Sequence, residues 1–468
     1  MYGSSRITGR KSRRGAGGTR GSTRAVAVAV ATLSTLAALT ACGGDEGEDR
    51  GSRESTIELP DLSGESLEVA AVWTGAERDN FLRVMDEFER LTGASVSFVP
   101  SGDNVSQFVG SKIEGGAPPD IVMVPQPGVL REFAENGWIA PVGDLVQEQL
   151  DANYTPGWQA VGQHEGEQYG VYVKVANKSL VWYSSTAFDY AGVSAPATWD
   201  EFVDTAWTVW ESGTTPVSVA GGDGWTLTDW FENIYLSQAG PQAYDDLIAH
   251  EIPWTDQTVT DALTTLGELF GAHQLLAGGN GGSLQTDFPT SVTQTFINLE
   301  TPDAAMVFEA DFVGAVISDS TDAVIGEDAL VFPFPAVGDG DPPVVSAGDA
   351  AVAVAPDGEA SEAQEAMLAF LASTDAAAIW AGGGGMVSPN RSLDLDAYPN
   401  DVQRGIADAL ISAGDDFRFD LSDQTPAAFG GTTGQGMWQG LQNFLRNPDD
   451  IEGAQQYLES QAASAYGD

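Results

Sequence analysis

Residues 67–100 read LEVAAVWTGAERDNFLRVMDEFERLTGASVSFVP, and this stretch decides the fold class. The apolar run 67–73 indicates a strand. The apolar residues that follow recur at the three- and four-residue spacing of a helix, which we predict from about Glu77 to Thr92. Residues 96–99 then form a second strand. The segment is therefore a strand–helix–strand unit.

The same alternation continues downstream of this unit. A helix is predicted from Val105 to Ile113 and a third strand from Asp120 to Val124. Strands that alternate with helices at short intervals indicate an α/β fold with a mostly parallel sheet and right-handed crossovers. Ligands bind such sheets at the carboxyl ends of the strands. Those ends, at 73–75, 100–103 and 125–127, are the first candidate binding positions.

The N-terminus carries the pattern of an export signal. Residues 1–24 contain seven basic and no acidic residues, and the apolar run Ala25 to Ala41 is too short and too weakly apolar for a spanning helix. We predict a signal peptide over residues 1–41. Export through the general secretion route is preferred, although the pair Arg13-Arg14 leaves twin-arginine export open.

Cys42 directly follows the predicted signal peptide and is the chain's only cysteine. The run Leu39-Thr40-Ala41-Cys42 resembles the lipobox of bacterial lipoproteins, which implies lipidation of Cys42 and a cell-membrane anchor on the outer face. An ordinary cleavage site without lipid is the alternative. A single cysteine excludes a disulfide framework and a cysteine-based metal site. Residues 42–65 are polar, acidic and rich in small residues, which predicts a flexible tether.

The chain is strongly acidic. Its 468 residues carry 20 basic and 68 acidic side chains, for a formal charge of −48 that becomes more negative once residues 1–41 are removed. This charge disfavours nucleic acid and anionic membrane surfaces as partners. It also suggests a saline habitat, in which salt screens the repulsion between carboxylates. The length exceeds what one core usually supports, which predicts two lobes.

Four segments together carry a resemblance to a known family. They run from Leu67 through Asp144, from Gln168 to Phe202, from Ala304 to Glu309 and from Phe332 to Asp349. In order and spacing the chain resembles the extracellular solute-binding proteins of bacterial ABC importers, in the sugar-binding group that includes maltose-binding protein. Two further segments, 223–233 and 385–390, look most like binding proteins for alpha-glucosides.

The resemblance implies a two-lobed clamshell of the periplasmic-binding-protein type, each lobe a mostly parallel sheet flanked by helices. The N-terminal lobe would hold residues 66–173 and 347–390, and the C-terminal lobe residues 174–346 and 391–468. The chain would cross between the lobes three times, near Lys174, Ser346 and Pro389. Several crossings make a hinge whose closure buries a ligand between the lobes.

A receptor for a sugar needs flat aromatic rings for the C–H faces and polar groups for the hydroxyl rim. Trp73, Trp225 and Trp230 lie at predicted strand ends or glycine-rich turns and are candidate stacking residues, with burial in the core as the alternative. Five other aromatic residues lie in apolar patterns and are assigned to the core: Trp182, Tyr183, Trp199, Trp207 and Trp210.

Polar candidates follow the predicted strands or lie near the crossings. They are Glu77, Asp103, Gln126, Lys174, Asp223, Asp229, Glu309, Asp311, Asp349 and Arg391. Each has a structural alternative. Glu77 could only favour a helix dipole, Asp229 could be a helix cap, and Lys174 could only form an ion pair.

Enzymatic functions find little support in the sequence. The chain has no nucleophile elbow, no phosphate-binding loop and no dinucleotide fingerprint, and the glycine runs at 278–282 and 382–385 read as loops. Three histidines far apart make a histidine-rich metal site improbable. A glycoside hydrolase with paired carboxylates remains an alternative. We therefore expect no enzyme, no cofactor and no metal.

The expected partners are a carbohydrate ligand and the transmembrane subunits of an ABC permease, with the protein itself a monomer. An acidic cleft with aromatic walls also suits a polyamine or a quaternary amine, through cation–π contact. Sugar is favoured over these cations by the family resemblance and not by charge.

Overall fold

A computed structural model describes residues 57–356, 358–413 and 417–467. The predicted signal peptide, Cys42 and the first part of the tether lie outside these residues. The predicted tether ends too late, because Ile57 and Leu62 are both buried. The Leu62 N–H donates to the Thr92 carbonyl over 2.8 Å, so this stretch already packs on the folded protein.

The elements are numbered here in chain order. The strands are β1 (Ser66–Ala71), β2 (Ser95–Pro100), β3 (Ile121–Val124), β4 (Gln163–His164), β5 (Glu167–Gln168), β6 (Val171–Asn177), β7 (Leu180–Ser184), β8 (Val217–Ser218), β9 (Met306–Phe308), β10 (Ala329–Pro333), β11 (Val345–Ala353) and β12 (Arg418–Phe419). The first helices are α1 (Gly75–Thr92), α2 (Val105–Glu114), α3 (Pro127–Glu135), α4 (Asp144–Asn153), α5 (Pro156–Val161), α6 (Ser185–Ala191), α7 (Trp199–Ser212), α8 (Trp225–Ile248) and α9 (Gln257–Phe270).

The remaining helices are α10 (Gly279–Ser283), α11 (Phe288–Phe296), α12 (Val313–Ser320), α13 (Glu362–Leu371), α14 (Thr374–Ala381), α15 (Asp401–Ala413), α16 (Leu421–Gln424), α17 (Ala427–Gly430), α18 (Gly436–Arg446) and α19 (Ile451–Tyr466). Short 3-10 turns lie at His273–Leu275 and Leu395–Ala397. The predicted opening run, from β1 to β3, is confirmed. Within the described ranges, no helix has the length and apolar character that a bilayer-spanning helix needs.

The larger sheet has the strand order β12-β11-β3-β1-β2, with β6 also paired to β11. The pairs β1–β2 and β1–β3 are parallel, whereas β11 runs antiparallel to β3 and β6. Successive residues of β1 face opposite sides: Val69 packs into one hydrophobic cluster and Ala70 into another. Both faces of the sheet are therefore buried, as expected for a largely parallel sheet between helices.

The smaller sheet has the order β10-β7-β9-β8. Trp182 of β7 packs into one hydrophobic cluster, and Trp230 and Phe308 belong to a second cluster beside this sheet. Helices α8 and α9 pack together beside it, and the C-terminal helices α18 and α19 contact them. The structure is thus α/β with two main sheets, each covered by helices, and a separate two-stranded sheet of β4 and β5.

The chain passes between the two sheets in three places. The first pass is Lys178-Ser179, between β6 and β7, and the second lies between β10 and β11. The third differs from the prediction near Pro389. Strand β12 still pairs with β11 of the larger sheet, so the chain leaves that sheet only at Asp420. A strand of two residues has no apolar pattern that a sequence could reveal.

Two local predictions were wrong. The glycine run at 278–282 is not only loop, because α10 begins at Gly279. Trp210, assigned to the core, is 45% exposed on α7, and its ring packs edge-to-face on Trp207. A helix residue beside apolar neighbours can still face solvent, because the helix buries only one stripe.

The acidic composition leads to a prediction about salt. We expect the melting temperature of the soluble form that begins after Cys42 to rise by several degrees between 0.1 M and 1 M NaCl. Salt shortens the screening length from about 10 Å to about 3 Å and weakens carboxylate repulsion. Calorimetry at pH 7.5 measures the effect, and at pH 4, where many carboxylates are protonated, it should shrink. A melting temperature that does not rise with salt at pH 7.5 would contradict the charge argument.

Candidate functional site

A cavity of about 380 Å³ lies between the two sheets. The larger sheet contributes residues that follow the carboxyl ends of its parallel strands: Trp73 after β1, Asp103 after β2 and Gln126 after β3. The smaller sheet and its helices contribute Trp225 and Phe312 among others. The location agrees with the general placement of ligands at the strand ends of α/β sheets.

Trp73 is held rigidly in the wall of the larger sheet. It is 3% exposed, and its ring packs edge-to-face on Phe81 and Trp380 at centroid distances of 5.0 and 4.8 Å. Its indole Nε1–H donates to Asp349 Oδ2 over 3.3 Å. The hydrogen bond and the ring contacts together fix the orientation of the indole.

Lys174, on β6, joins two carboxylates of this wall. Its Nζ lies 2.5 Å from Glu77 Oε1 and 3.7 Å from Asp349 Oδ2. Burial raises the pKa of the Asp349 carboxyl, and the ammonium of Lys174 opposes that rise. Burial alone would lower the pKa of Lys174, but the neighbouring carboxylates raise it above its ordinary value. Lys174 is therefore charged at physiological pH.

Lys178 holds a second buried group of charges at the first pass between the sheets. Its Nζ lies 2.9 Å from Asp229 Oδ1 on α8 and 2.5 Å from Asp420 Oδ2 next to β12. Both carboxylates are fully buried. Burial opposes the charge on Lys178, but the surrounding carboxylates outweigh it and hold its pKa well above the ordinary value. The ion pairs thus join three elements through one side chain.

More carboxyl groups surround Lys178 than one ammonium can neutralise. Burial raises the pKa of Glu232, Glu309 and Asp423 well above their ordinary values, and nearby carboxylates add to the rise. Glu232 Oε2 accepts hydrogen bonds from Tyr244 and from the Leu421 N–H. The raised pKa values favour the neutral forms of these three groups, which lowers the electrostatic cost of burying the cluster.

The smaller sheet supplies most of the aromatic surface. Gly224, with a φ of 87°, ends a turn so that α8 begins at Trp225. The Trp225 ring lies 5.7 Å from Phe288 and 6.1 Å from Phe312, centroid to centroid, in tilted and edge-to-face packing. Trp438, on α18, also lines the cavity, and its buried indole Nε1–H has no hydrogen-bond partner among the described residues.

Asp223 and Asp103 bring carboxylates to the cavity from the two sides. Asp223 Oδ2 accepts the Phe288 N–H over 2.7 Å. Burial raises the pKa of Asp223 to about 6, and the charges of Asp103 and Asp287 add to the rise. Burial also raises the pKa of Asp103. Near pH 6 Asp223 can therefore act as hydrogen-bond donor or acceptor.

Eight of the predicted site residues line the cavity. They are Trp73, Glu77, Asp103, Gln126, Lys174, Asp223, Trp225 and Asp349. The structure brings them together from positions far apart in sequence, because the ends of β1, β2 and β3, the middle of β6 and β11, and the starts of α1 and α8 meet there. Whether each contacts a ligand stays a prediction.

The other five predicted residues lie away from the cavity. Trp230 is 1% exposed in the core of the smaller sheet, 4.5 Å from Phe308. Asp229 lies inside α8 and not at its cap, since the helix already begins at Trp225. Glu309 and Asp311 are buried beyond β9. Arg391 instead donates to the carbonyls of Asp151 and Ala152 on the surface.

Six charged or aromatic residues of the cavity lining were not among the predicted ones. They are Lys178, Asp287, Phe288, Phe312, Asp423 and Trp438. One signal was available: Lys178 is among only four lysines in the chain, four residues after Lys174. Phe288, Phe312 and Trp438 lie next to helix starts or in apolar patterns, where sequence cannot separate a core residue from a cavity wall.

One group of carboxylates within the described residues has a spacing that could hold a metal ion. Oxygens of Asp229, Glu232 and Asp420 lie within 4.8 Å of one another. The ammonium of Lys178 already pairs with two of the three, so the group receives positive charge from the protein itself.

Residues 74–378 match the family of bacterial extracellular solute-binding proteins. The chain belongs to this family. As a solute-binding protein of an ABC importer it acts outside the cytoplasm and delivers a small molecule to a permease. The predicted family and the related prediction of a two-lobed α/β fold are confirmed.

Two relatives align along most of this solute-binding protein. The osmoprotective compounds-binding protein GgtB of Synechocystis is 29% identical over 398 residues, which cover 84% of this chain and 91% of GgtB. The alpha-glucosides-binding periplasmic protein AglE of Rhizobium meliloti is 29% identical over 399 residues, covering 82% of this chain and 84% of AglE. Both relatives are binding proteins.

Solved structures show the same fold at lower identity. The bacterial solute receptor AcbH, described with a preference for β-D-galactopyranose, superposes with a TM-score of 0.73 at 21% identity, over 86% of this chain and 99% of AcbH. The maltose-bound MalE3 of T. maritima has a TM-score of 0.67 at 15% identity, over 85% and 99% of the two chains. Both place this solute-binding protein in the fold of the maltose-binding-protein group.

Proposed function

We propose that this protein binds a neutral carbohydrate, an alpha-glucoside or another small oligosaccharide, in the cavity between its two sheets. The observation that carries the proposal is the composition of the cavity walls. Aromatic rings, led by Trp225, lie beside fixed polar groups such as Glu77 and Asp349. Rings suit the C–H faces of a sugar and carboxylates suit its hydroxyl groups.

The size of the cavity supports a small ligand. At about 380 Å³ it lies at the lower end of the range of about 300–1,000 Å³ that is typical of small-molecule sites. A polysaccharide chain would need an open groove. The names of the relatives also support a small ligand, since AglE binds alpha-glucosides and GgtB binds osmoprotective compounds.

The proposed mechanism is closure of two lobes on the ligand. Polar and aromatic groups reach the cavity from both sheets, with Trp73 and Glu77 on one side and Asp223 and Trp225 on the other. A ligand that contacts both sides stabilises the closed form by its differential affinity. The permease then receives the ligand from that closed form.

The lobe boundaries follow from the passes between the sheets. We place residues 66–177 and 345–419 in one lobe and most of the remainder in the other, with the third pass at Asp420. We further propose that the protein is a monomer without enzymatic activity, held at the outer face of the cell membrane by a lipid on Cys42.

A cationic solute is the second candidate. The observation in its favour is the set of carboxylates near the cavity mouth, Asp103, Asp223 and Asp287. Polyamines and quaternary amines would contact these carboxylates and the aromatic rings at the same time.

Isothermal titration calorimetry separates the two candidates. The ligands are trehalose, maltose, sucrose, glucosylglycerol, putrescine and betaine. Binding of one or more of the four neutral ligands supports the proposal, and binding of only putrescine or betaine reverses it. Incubation with labelled alpha-glucosides tests for catalysis, and turnover would contradict a receptor.

A further inference from the structure

Two lysine ammoniums of the protein lie over the aromatic rings of the cavity. Lys174 Nζ is 5.7 Å from the Trp73 ring centroid and 5.2 Å from that of Phe312. Lys178 Nζ is 5.3 Å from the Trp225 ring centroid. All three distances lie within the range of about 6 Å for cation–π contact. Three of the five aromatic rings that line the cavity therefore already contact a cation.

The two ammoniums are fixed in these positions. Glu77 and Asp349 hold Lys174, and Asp229 and Asp420 hold Lys178. The side chains of the two lysines are 6% and 7% exposed. A side chain that is both buried and paired twice cannot swing out to make room for a ligand without breaking its ion pairs.

Two lysines at one cavity are unusual in so acidic a chain. The sequence has only four lysines, at positions 11, 112, 174 and 178, against 68 acidic residues. Two of the four line the cavity. A general need for surface neutralisation would not concentrate the lysines there.

We propose that Lys174 and Lys178 determine specificity by excluding cationic solutes from the cavity. Each lysine occupies the position, between carboxylates and over an aromatic ring, that the ammonium of a ligand would need. Each also repels a second positive charge nearby. The rings and carboxylates then serve only neutral ligands, so the inference rests on the proposed function and specifies the ligand class.

The test removes one ammonium and asks whether a ligand can replace it. Lys174→Ala leaves Glu77, Asp349 and two aromatic rings around a vacated space that is large enough for a primary ammonium. We expect its affinity for putrescine to rise at least about tenfold over the wild type, as one restored cation–π contact and ion pair would give. Lys174→Arg keeps the positive charge and should show no rise.

Lys112→Ala is the matched control. Lys112 Nζ also lies over an aromatic ring, 5.6 Å from the Phe108 centroid, and 3.8 Å from Glu68 Oε1, but it is outside the cavity. The same substitution there should leave the affinities for putrescine and for the best neutral ligand unchanged. The measured quantity is the ratio of the two affinities, which a general loss of stability does not change.

Lys178→Ala provides a second variant at an independent position, with choline and putrescine as cationic probes. If a variant is too unstable for calorimetry, the rise of its melting temperature with putrescine, at constant ionic strength, reports binding. The inference is overturned if both alanine variants fold and bind neither cation better than the wild type. Failure of the wild type to bind any neutral ligand would instead contradict the proposed function.

Discussion

Trp225→Ala should weaken binding of the best neutral ligand about 30- to 100-fold. The ring is partly exposed and lines the cavity, with Phe288 and Phe312 supporting it and Lys178 over it. Its loss removes a partly exposed indole ring from that wall. Burial of such a surface and ring stacking are together worth about 2.0–2.7 kcal/mol, which converts to this loss of affinity. Isothermal titration calorimetry measures the change.

Two further variants test whether the loss of affinity comes from the aromatic ring of Trp225. Trp225→Phe keeps a flat ring and should lose less than about tenfold, because part of the stacking area remains. Trp210→Ala is the matched control, since Trp210 is 45% exposed on α7 and does not line the cavity. It should bind like the wild type. An unchanged affinity in a folded Trp225→Ala variant would show that the Trp225 ring does not contact the ligand.

Asp311→Asn should stabilise the protein at alkaline pH and change little at acidic pH. Asp311 is 2% exposed. Its Oδ1 accepts the Asn177 N–H over 2.7 Å, while its buried Oδ2 has no hydrogen-bond partner within the described residues. Burial raises its pKa to about 7, although Lys174 opposes the rise. The folded protein therefore contains a carboxylate that is costly to ionise.

The sign of the pH dependence follows from this raised pKa. Between the ordinary pKa of 3.8 and about 7, the folded state binds the proton more tightly than the unfolded state, so the stability falls as pH rises. The full cost, at most about 4 kcal/mol, is present above pH 7 and absent below pH 4. An asparagine at this position has no charge to bury and so avoids the cost of ionisation. Its amide N–H lacks a hydrogen-bond partner, which offsets part of the gain in stability. We therefore expect a net gain of about 1–3 kcal/mol at pH 8.5.

Urea unfolding of the wild type and of Asp311→Asn, at pH 4 and at pH 8.5, measures the change in the free energy of unfolding at each pH. Asp303→Asn is the control, because Asp303 is exposed just before β9, and its effect should be small at both pH values. A gain in Asp311→Asn of equal size at the two pH values would show that the charge of Asp311 is not its cause.

The opening of the fold could be predicted from sequence because its signals are local. The run from β1 to β3 alternates apolar strands with a helix that ends at Gly93, where a φ of 75° suits glycine. The start of α8 was less evident. Gly224 and Trp225 read as a turn, and only the conformation of Gly224 shows that the helix begins there, which places Asp229 and Trp230 in its interior.

The cavity could be predicted only in part, because some of its lining residues are brought there by the packing of distant segments. Residues that follow strand ends, such as Trp73 and Asp103, meet by the geometry of a parallel sheet. Phe312 and Trp438 reach the cavity because α12 and α18 pack where they do, and such packing depends on contacts between distant segments. The difference between an exposed Trp210 and a lining Trp225 likewise depends on which face of a helix the rest of the protein covers.

The hydrogen bonds around Lys178-Ser179 have a mechanical consequence. Lys178 binds Asp229 of α8 and Asp420 of the third pass, while Ser179 Oγ donates to Asn233 of α8 and accepts the Val345 N–H at the end of the second pass. All three passes are thereby tied to two turns of one helix. Bending one pass alone would break contacts that the others share, so we expect the three passes to bend together about the early part of α8.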